Sequence, residues 1–170
     1  MSDFFNRNKE DSKTKSNETK TAPGTQIYYH PELIDELTKD HQVLVELAGT
    51  IKQLYDDGAF DSIRDMLSRF GSLLRGHLLK ENIKLYVYLQ HVLAGDEENT
   101  ALMQGFRNEI KDIGRTVTAF LHKYSKRDWD IELRTSFGGE FDKVLTTLGK
   151  RIQTEESILY KLYLPPDAYR

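Results

Sequence analysis

The stretch FGSLLRGHLLKENIKLYVYL, residues 70–89, decides the fold. Phe70, Leu74, Leu78, Leu85 and Leu89 recur every three, four or seven residues, the spacing of one face of an α-helix. Ile63 and Leu67 carry the same stripe upstream, and Gly95 stops it. Two ionisable residues stand on that apolar line. Leu74, His77, Glu81 and Leu85 follow one another at spacings of three and four, so an imidazole and a carboxylate occupy adjacent turns of an inward face.

Working outward, the same pattern occurs three more times. Pro31 suits a first helical turn, where its missing N–H costs nothing. Leu33, Leu37, Leu44, Leu47, Ile51 and Leu54 then form a stripe that Asp56-Asp57-Gly58 ends with a glycine fit for a left-handed cap. A third stripe runs Met103, Phe106, Ile110, Ile113, Val117 and Phe120 to Ser125-Lys126, with Asp96-Glu97-Glu98 placing favourable charge at its start. The fourth holds Phe137, Phe141, Val144, Leu148, Ile152, Leu159 and Leu162 and closes at Pro165-Pro166; Gly138-Gly139 is expected to kink it or delay its start. Four amphipathic segments with short connections predict an all-α, antiparallel up-down four-helix bundle. Trp129, in the last connection, reads as a loop anchor packed on the bundle. Residues 1–27 are polar and are expected to form a flexible tail; residues 28–170 are expected to form the bundle domain.

Composition removes several function classes. The chain has 170 residues and no cysteine, which excludes disulfides, zinc–thiolate and iron–sulfur sites and cysteine catalysis. A net charge of -3 offers no electrostatic case for nucleic acid. No apolar run approaches the roughly 20 residues that span a bilayer, and with a mean hydropathy of -0.59 the chain reads as soluble and cytoplasmic. No Ser-His-Asp signature, P-loop or dinucleotide fingerprint is present, so the pattern points away from an enzyme of those classes.

Function in a bundle lives where ionisable side chains sit on inward stripes of facing helices. His41 lies between Leu37 and Leu44 in the first stripe. In the fourth, Leu148, Ile152, Glu155 and Leu159 form a line, with Arg151 one turn before Glu155 and Glu156 close to the same face. Counted from the first turn at 1.5 Å per residue, His41 and His77 lie at similar heights on neighbouring helices. His91 and His122 fall away from that level, and His30 is at a helix end. Two histidines and two glutamates converging in a core suit iron, manganese or zinc. Buried glutamates need a positive partner: a metal, or Arg151 together with Arg107 from the third helix.

At these residues the chain resembles the hemerythrin-like, or HHE cation-binding, family over about residues 30 to 163. Asp40-His41 with Val43-Leu44 is similar to the family's Asp-His-x-x-Leu, and His77-x-x-x-Glu81 to its His-x-x-x-Glu. Arg151-Ile-Gln-Thr-Glu155-Glu156-x-x-Leu159-Tyr160 is similar to its His-Ile-x-x-Glu-Glu-x-x-Leu-Phe. The departures fall together. The family's third helix usually supplies histidine, but none stands between His91 and His122, where Arg107 and Glu109 are the nearest equivalents; the fourth-helix histidine is Arg151. The resemblance implies that one half of a paired-iron site is lost and that His41, His77, Glu81 and Glu155 remain as metal ligands for the other. It leaves two readings open: a metal-binding regulatory or sensing protein with a single iron-like ion, or a metal-free bundle in which Arg151 and Arg107 replace the metal and the chain acts through a regulatory protein partner. A weaker resemblance, in Phe141-x-x-Val144-Leu145-x-x-Leu148-Gly149 with Arg151 and Glu155-Glu156, is to the Rsd/AlgQ sigma-factor regulators, and it illustrates the second. Tyr86 and Tyr88 are expected on different faces, one of them able to approach a metal or line a partner surface.

Overall fold

A computed structural model describes residues 20–169. Four long helices make up the bundle. The first is Leu33–Asp56. The second covers residues 60–92, in which α-helical Phe60–Lys80 and Val87–Val92 flank a π-helical segment, Glu81–Tyr86. The third is Glu97–Lys123. The fourth is Ile131–Thr154, prolonged by a π-helical turn, Glu155–Leu159, and a 3₁₀ turn, Tyr160–Leu162. None of the helices among the described residues is long and apolar enough to cross a membrane.

The boundaries follow local chemistry. Gly58 and Gly95 both have positive φ, 71° and 95°, and close the first two helices as sequence position predicts. Asp96 and Asp130 cap the third and fourth helices, each accepting a backbone N–H three residues on. Trp129 is buried, donates from its indole to the Tyr124 carbonyl and packs against Phe137, so it does anchor the last connection.

Gly138-Gly139 neither kinks the fourth helix nor delays it. The helix starts seven residues earlier, at Ile131, and runs through both glycines. Gly138 is there for packing: a Cβ at this position would stand 2.6 Å from the Tyr55 ring, and Tyr55 is pinned by its hydroxyl donating to the Arg134 carbonyl. Beside Gly139 there is open space. The two glycines should therefore respond oppositely to alanine. Gly138→Ala is expected to destabilise the protein by about 1–2 kcal/mol, overpacking outweighing the gain in helix propensity. Gly139→Ala should stabilise it by up to about 1 kcal/mol. Thermal melts of the two variants check the pair of signs.

The N-terminal boundary also differs from expectation. Of the polar stretch 1–27, residues 1–19 lie outside the described residues. Residues 20–29 form a tight hairpin, with a bridge between Thr21 and Tyr28 and Ala22 fully buried. Tyr29 stacks on Tyr163 at 4.9 Å, and the His30 N–H donates to the Tyr163 hydroxyl. Long-range aromatic packing against the chain's other end orders a segment whose own composition is polar.

The core has two apolar halves. One is built around Ile51, Phe70, Phe120, Phe137 and Phe141. The other is built around Leu37, Leu85, Leu89, Met103 and Leu159 and is closed by the hairpin and the C-terminal turns. Between them lie His41, His77, Glu81, Arg151 and Glu155, all five buried. One polar layer thus interrupts an otherwise hydrophobic bundle.

Candidate metal centre

Each member of this layer comes from a different turn of three helices. His41 is on the first helix, His77 and Glu81 are on the second, and Arg151 and Glu155 are on the fourth. The His41 and His77 rings lie 4.6 Å apart, and their Nε2 atoms face each other at 3.1 Å. Glu155 brings a carboxylate oxygen to 3.2 Å from His41 Nε2, and Glu81 brings one to 3.5 Å from His77 Nε2. One ligand atom from each of His41, His77, Glu81 and Glu155 lies within 4.8 Å of all the others.

Both glutamates mark a change of helix type, since the two π-helical segments begin at Glu81 and at Glu155. Such segments are rare and concentrate at functional sites. They have a direct effect on which residues face inward. On an α-helix a residue five positions on lies about 140° around the axis. The wider turn brings it back, so Tyr86 and Tyr160, five after Glu81 and Glu155 respectively, both join the layer. The Tyr160 N–H bonds the Glu155 carbonyl across five residues, the signature of the π turn.

Tyr160 was invisible to a 3.6-residue period, yet its hydroxyl donates to Glu81 Oε1 at 2.9 Å and lies 3.3 Å from His41 Nε2. Burial and the charge of Glu81 push its pKa well above that of an ordinary phenol, so it is a neutral O–H donor. Tyr86 contacts no histidine; its oxygen accepts from Arg151 at 2.8 Å. Tyr88 donates to the Leu164 carbonyl and is likewise buried, so neither tyrosine lines an exposed surface.

The outer nitrogens of the histidines are tied down. His41 Nδ1 lies 2.8 Å from Glu156, and His77 Nδ1 lies 3.2 Å from Asp40, which Lys80 in turn holds at 2.9 Å. An ionised carboxylate only accepts, so each Nδ1 donates outward, and this turns each Nε2 toward the interior. This is the carboxylate–histidine arrangement that orients metal-binding imidazoles. Glu156 is therefore the outer carboxylate, with its side chain 39% exposed, whereas Glu155 is buried and inward. Burial pulls the His41 pKa down, but hydrogen bonds to Glu155 and Glu156 outweigh it and leave the imidazole more basic than usual. Burial likewise opposes ionisation of Glu155, and His41 and Arg151 overcome it, holding the carboxyl below the usual range.

Arg151 is the fourth-helix cation, and all three of its guanidinium nitrogens are engaged. Nε donates to Glu155 Oε1, one terminal nitrogen reaches the Phe106 carbonyl and Glu109 at 3.0 Å each, and the other reaches Tyr86. Arg107 does not help neutralise the layer, contrary to expectation. It is half-buried, bonds Asn82 and Gln90, and lies over the Tyr86 ring. Its side chain runs to the second helix rather than into the layer. Glu109, rather than Arg107, is the third-helix residue in contact with Arg151. His91 and His122 are exposed, and His30 is half-buried near Glu32.

The donor set fits a cation. Two imidazole nitrogens 3.1 Å apart, each with a carboxylate oxygen beside it, place four donor atoms around one point. Glu81 Oε2, fully buried in the same layer, has no hydrogen-bond partner. Arg151 spends its donors on Glu155 and reaches neither Glu81 nor the histidines. A first-row ion with bonds of about 2.0–2.2 Å nearly spans the observed separation of the four atoms. The geometry defines a helical bundle with a buried histidine–carboxylate cluster suited to a metal. Residues 32–163, well over half of the chain, match the hemerythrin HHE cation binding domain, and the chain belongs to that family. Neither a curated protein nor a solved structure matches it.

Asp40 should matter although it touches no ligand position inside the layer. Asp40→Asn can accept from His77 Nδ1–H but loses the carboxylate charge beside the ring. It is expected to weaken metal binding by about 10–100-fold with helix content unchanged, read by competition against a chelating dye.

Proposed function

We propose that this chain is a single-metal hemerythrin-type protein with a regulatory or sensing role. His41, His77, Glu81 and Glu155 would hold one iron-like ion, with manganese and zinc as the other metals this donor set accepts. The observation that carries the reading is the pair of inward Nε2 atoms, 3.1 Å apart, beside the unpartnered Glu81 oxygen. Two histidines with carboxylates resemble the ligand set of non-heme iron, which supplies a Lewis-acidic, redox-active centre able to take an exogenous ligand. The chain's own residues set the terms: Asp40 and Glu156 orient the imidazoles, Tyr160 holds one oxygen of Glu81, and Arg151 fills the room of a second ion with a fixed positive charge.

A sensing role draws support from how the site is wired to the surface. His41 is bonded to exposed Glu156, and His77 through Asp40 to Lys80 and Glu36. An ion at the Nε2 positions would pull on both rings, and each ring is bonded to a carboxylate toward the bundle surface. The second reading, a metal-free regulator of a protein partner such as a sigma factor, draws support from the engagement of all three Arg151 nitrogens. It leaves Glu81 Oε2 without a hydrogen-bond partner, which is why we place it second.

Elemental analysis of protein purified without an affinity tag or chelator, then reconstituted with ferrous iron, tests the two. About one ion per chain is expected. Two per chain would mean that Arg151 yields its place, and none would leave the metal-free reading.

A further inference from the structure

On one side of the polar layer the bundle is not filled. A cavity of about 230 Å³ lies between the first, second and fourth helices. Its walls are the buried side chains of Leu44, Ala48, Phe70, Leu74 and Leu148. His41, His77 and Glu155 form its inner end, so it meets the layer directly. At the outer end Gly49 of the first helix and Gly149 of the fourth are both exposed, and a Cβ on either would meet no atom within 4 Å. Two glycines therefore leave a gap where ordinary helix residues would cover the entrance.

Protein interiors pack as densely as organic crystals, with few voids larger than a water molecule. A void of this size beside a buried site is a feature that requires an occupant. Its side walls offer water no partners, the polar groups standing only at the inner end, and an apolar cavity of roughly 150 Å³ stays dry and takes up benzene. Scaled by volume, the present one suits about nine non-hydrogen atoms. The inner end selects the head of such a molecule. Glu155 and neighbouring Glu81 repel an anion, and Arg151, which also lines this end, has all three of its nitrogens engaged with Glu155, Phe106, Glu109 and Tyr86. A neutral oxygen can bond the histidine edges, or complete the coordination of an ion held there.

We propose that this cavity is a binding site for a neutral, mainly hydrocarbon molecule of about nine non-hydrogen atoms. It enters between Gly49 and Gly149 and sets one oxygen against the histidine–glutamate layer. The site shares its inner wall with the metal centre, while its apolar walls stand independently of any ion.

Titration of the full chain with straight-chain 1-alkanols from butanol to dodecanol, followed by calorimetry, tests this. Saturable binding is expected to tighten about fourfold per added methylene and to stop tightening near eight carbons, where the cavity is full. Octanoate should bind at least tenfold more weakly than 1-octanol at neutral pH. Gly149→Leu and Gly49→Leu each place a side chain over the entrance and should weaken 1-octanol binding at least tenfold. Both sites are exposed and open and leucine is the better helix former, so the variants should melt no lower than the parent. Affinity that keeps rising through dodecanol, or leucine variants that bind 1-octanol like the parent, would overturn the proposal. Octanoate binding as tightly as 1-octanol would overturn the neutral head. Both glycine variants keep the four metal-binding positions, so iron uptake is scored separately; its absence alongside normal alkanol binding counts against the metal centre alone.

Discussion

Arg151→Ala is expected to lower the stability of the metal-free protein by about 3–5 kcal/mol, because it strands a buried carboxylate. Arg151 and Glu155 are both about 2% exposed, and the guanidinium also satisfies the Phe106 carbonyl, Tyr86 and Glu109. For a chain of this length such a loss corresponds to a melting temperature lower by about 10 °C or more. Arg151→Met separates charge from volume. It fills much of the same space, so it should recover the packing part of the loss and leave the electrostatic part. The sign with pH is fixed by Glu155. Its folded-state pKa is depressed, so the pair's contribution is present above the unfolded glutamate pKa and is lost as pH falls through the folded value. The gap between parent and variant should therefore narrow in acid. If Arg151→Ala melts like the parent at neutral pH, the arginine is not compensating the layer.

The second large effect is on metal uptake. His41→Ala combined with His77→Ala removes both nitrogen donors and should abolish stoichiometric iron binding while the four helices persist by circular dichroism. Saturating metal should raise the parent's stability by RT ln(1 + [L]/Kd), about 4 kcal/mol at a thousandfold excess over Kd, and should leave the double variant unmoved. Without metal the variant loses two buried polar groups that face each other at 3.1 Å, but it strands Glu81 and Glu155 further. A modest net destabilisation is therefore expected, distinct from the metal-linked loss. Unchanged stoichiometric uptake in the double variant would reject these residues as the site.

Much of this was legible in the chain because helical periodicity is local. Stripes at three and four residues assigned four helices, and the same arithmetic put His77 and Glu81 on one face and His41 at the height of His77. Inverted turns at Gly58 and Gly95 were readable for the same reason, since only nearby backbone decides them. What failed was everything that depends on a change of helical phase or on reach between helices. A π turn inserts one residue into the register, so Tyr160 arrives at the layer from a position that a 3.6 period places off it. Gly138 looked like a helix breaker because its reason lies in Tyr55, 83 residues away in sequence.

The charge balance shows the division most clearly. Sequence alone determined that two buried glutamates need positive partners, since desolvating a carboxylate is costly in any fold. It could not say which cation reaches them. The rotation of the third helix sends Arg107 along the surface to Asn82 and Gln90, and Arg151 takes the interior alone. One guanidinium then serves Glu155 and does not bond Glu81, an asymmetry that only the packed bundle decides, because hydrogen-bond reach is a property of relative helix placement and not of spacing along the chain.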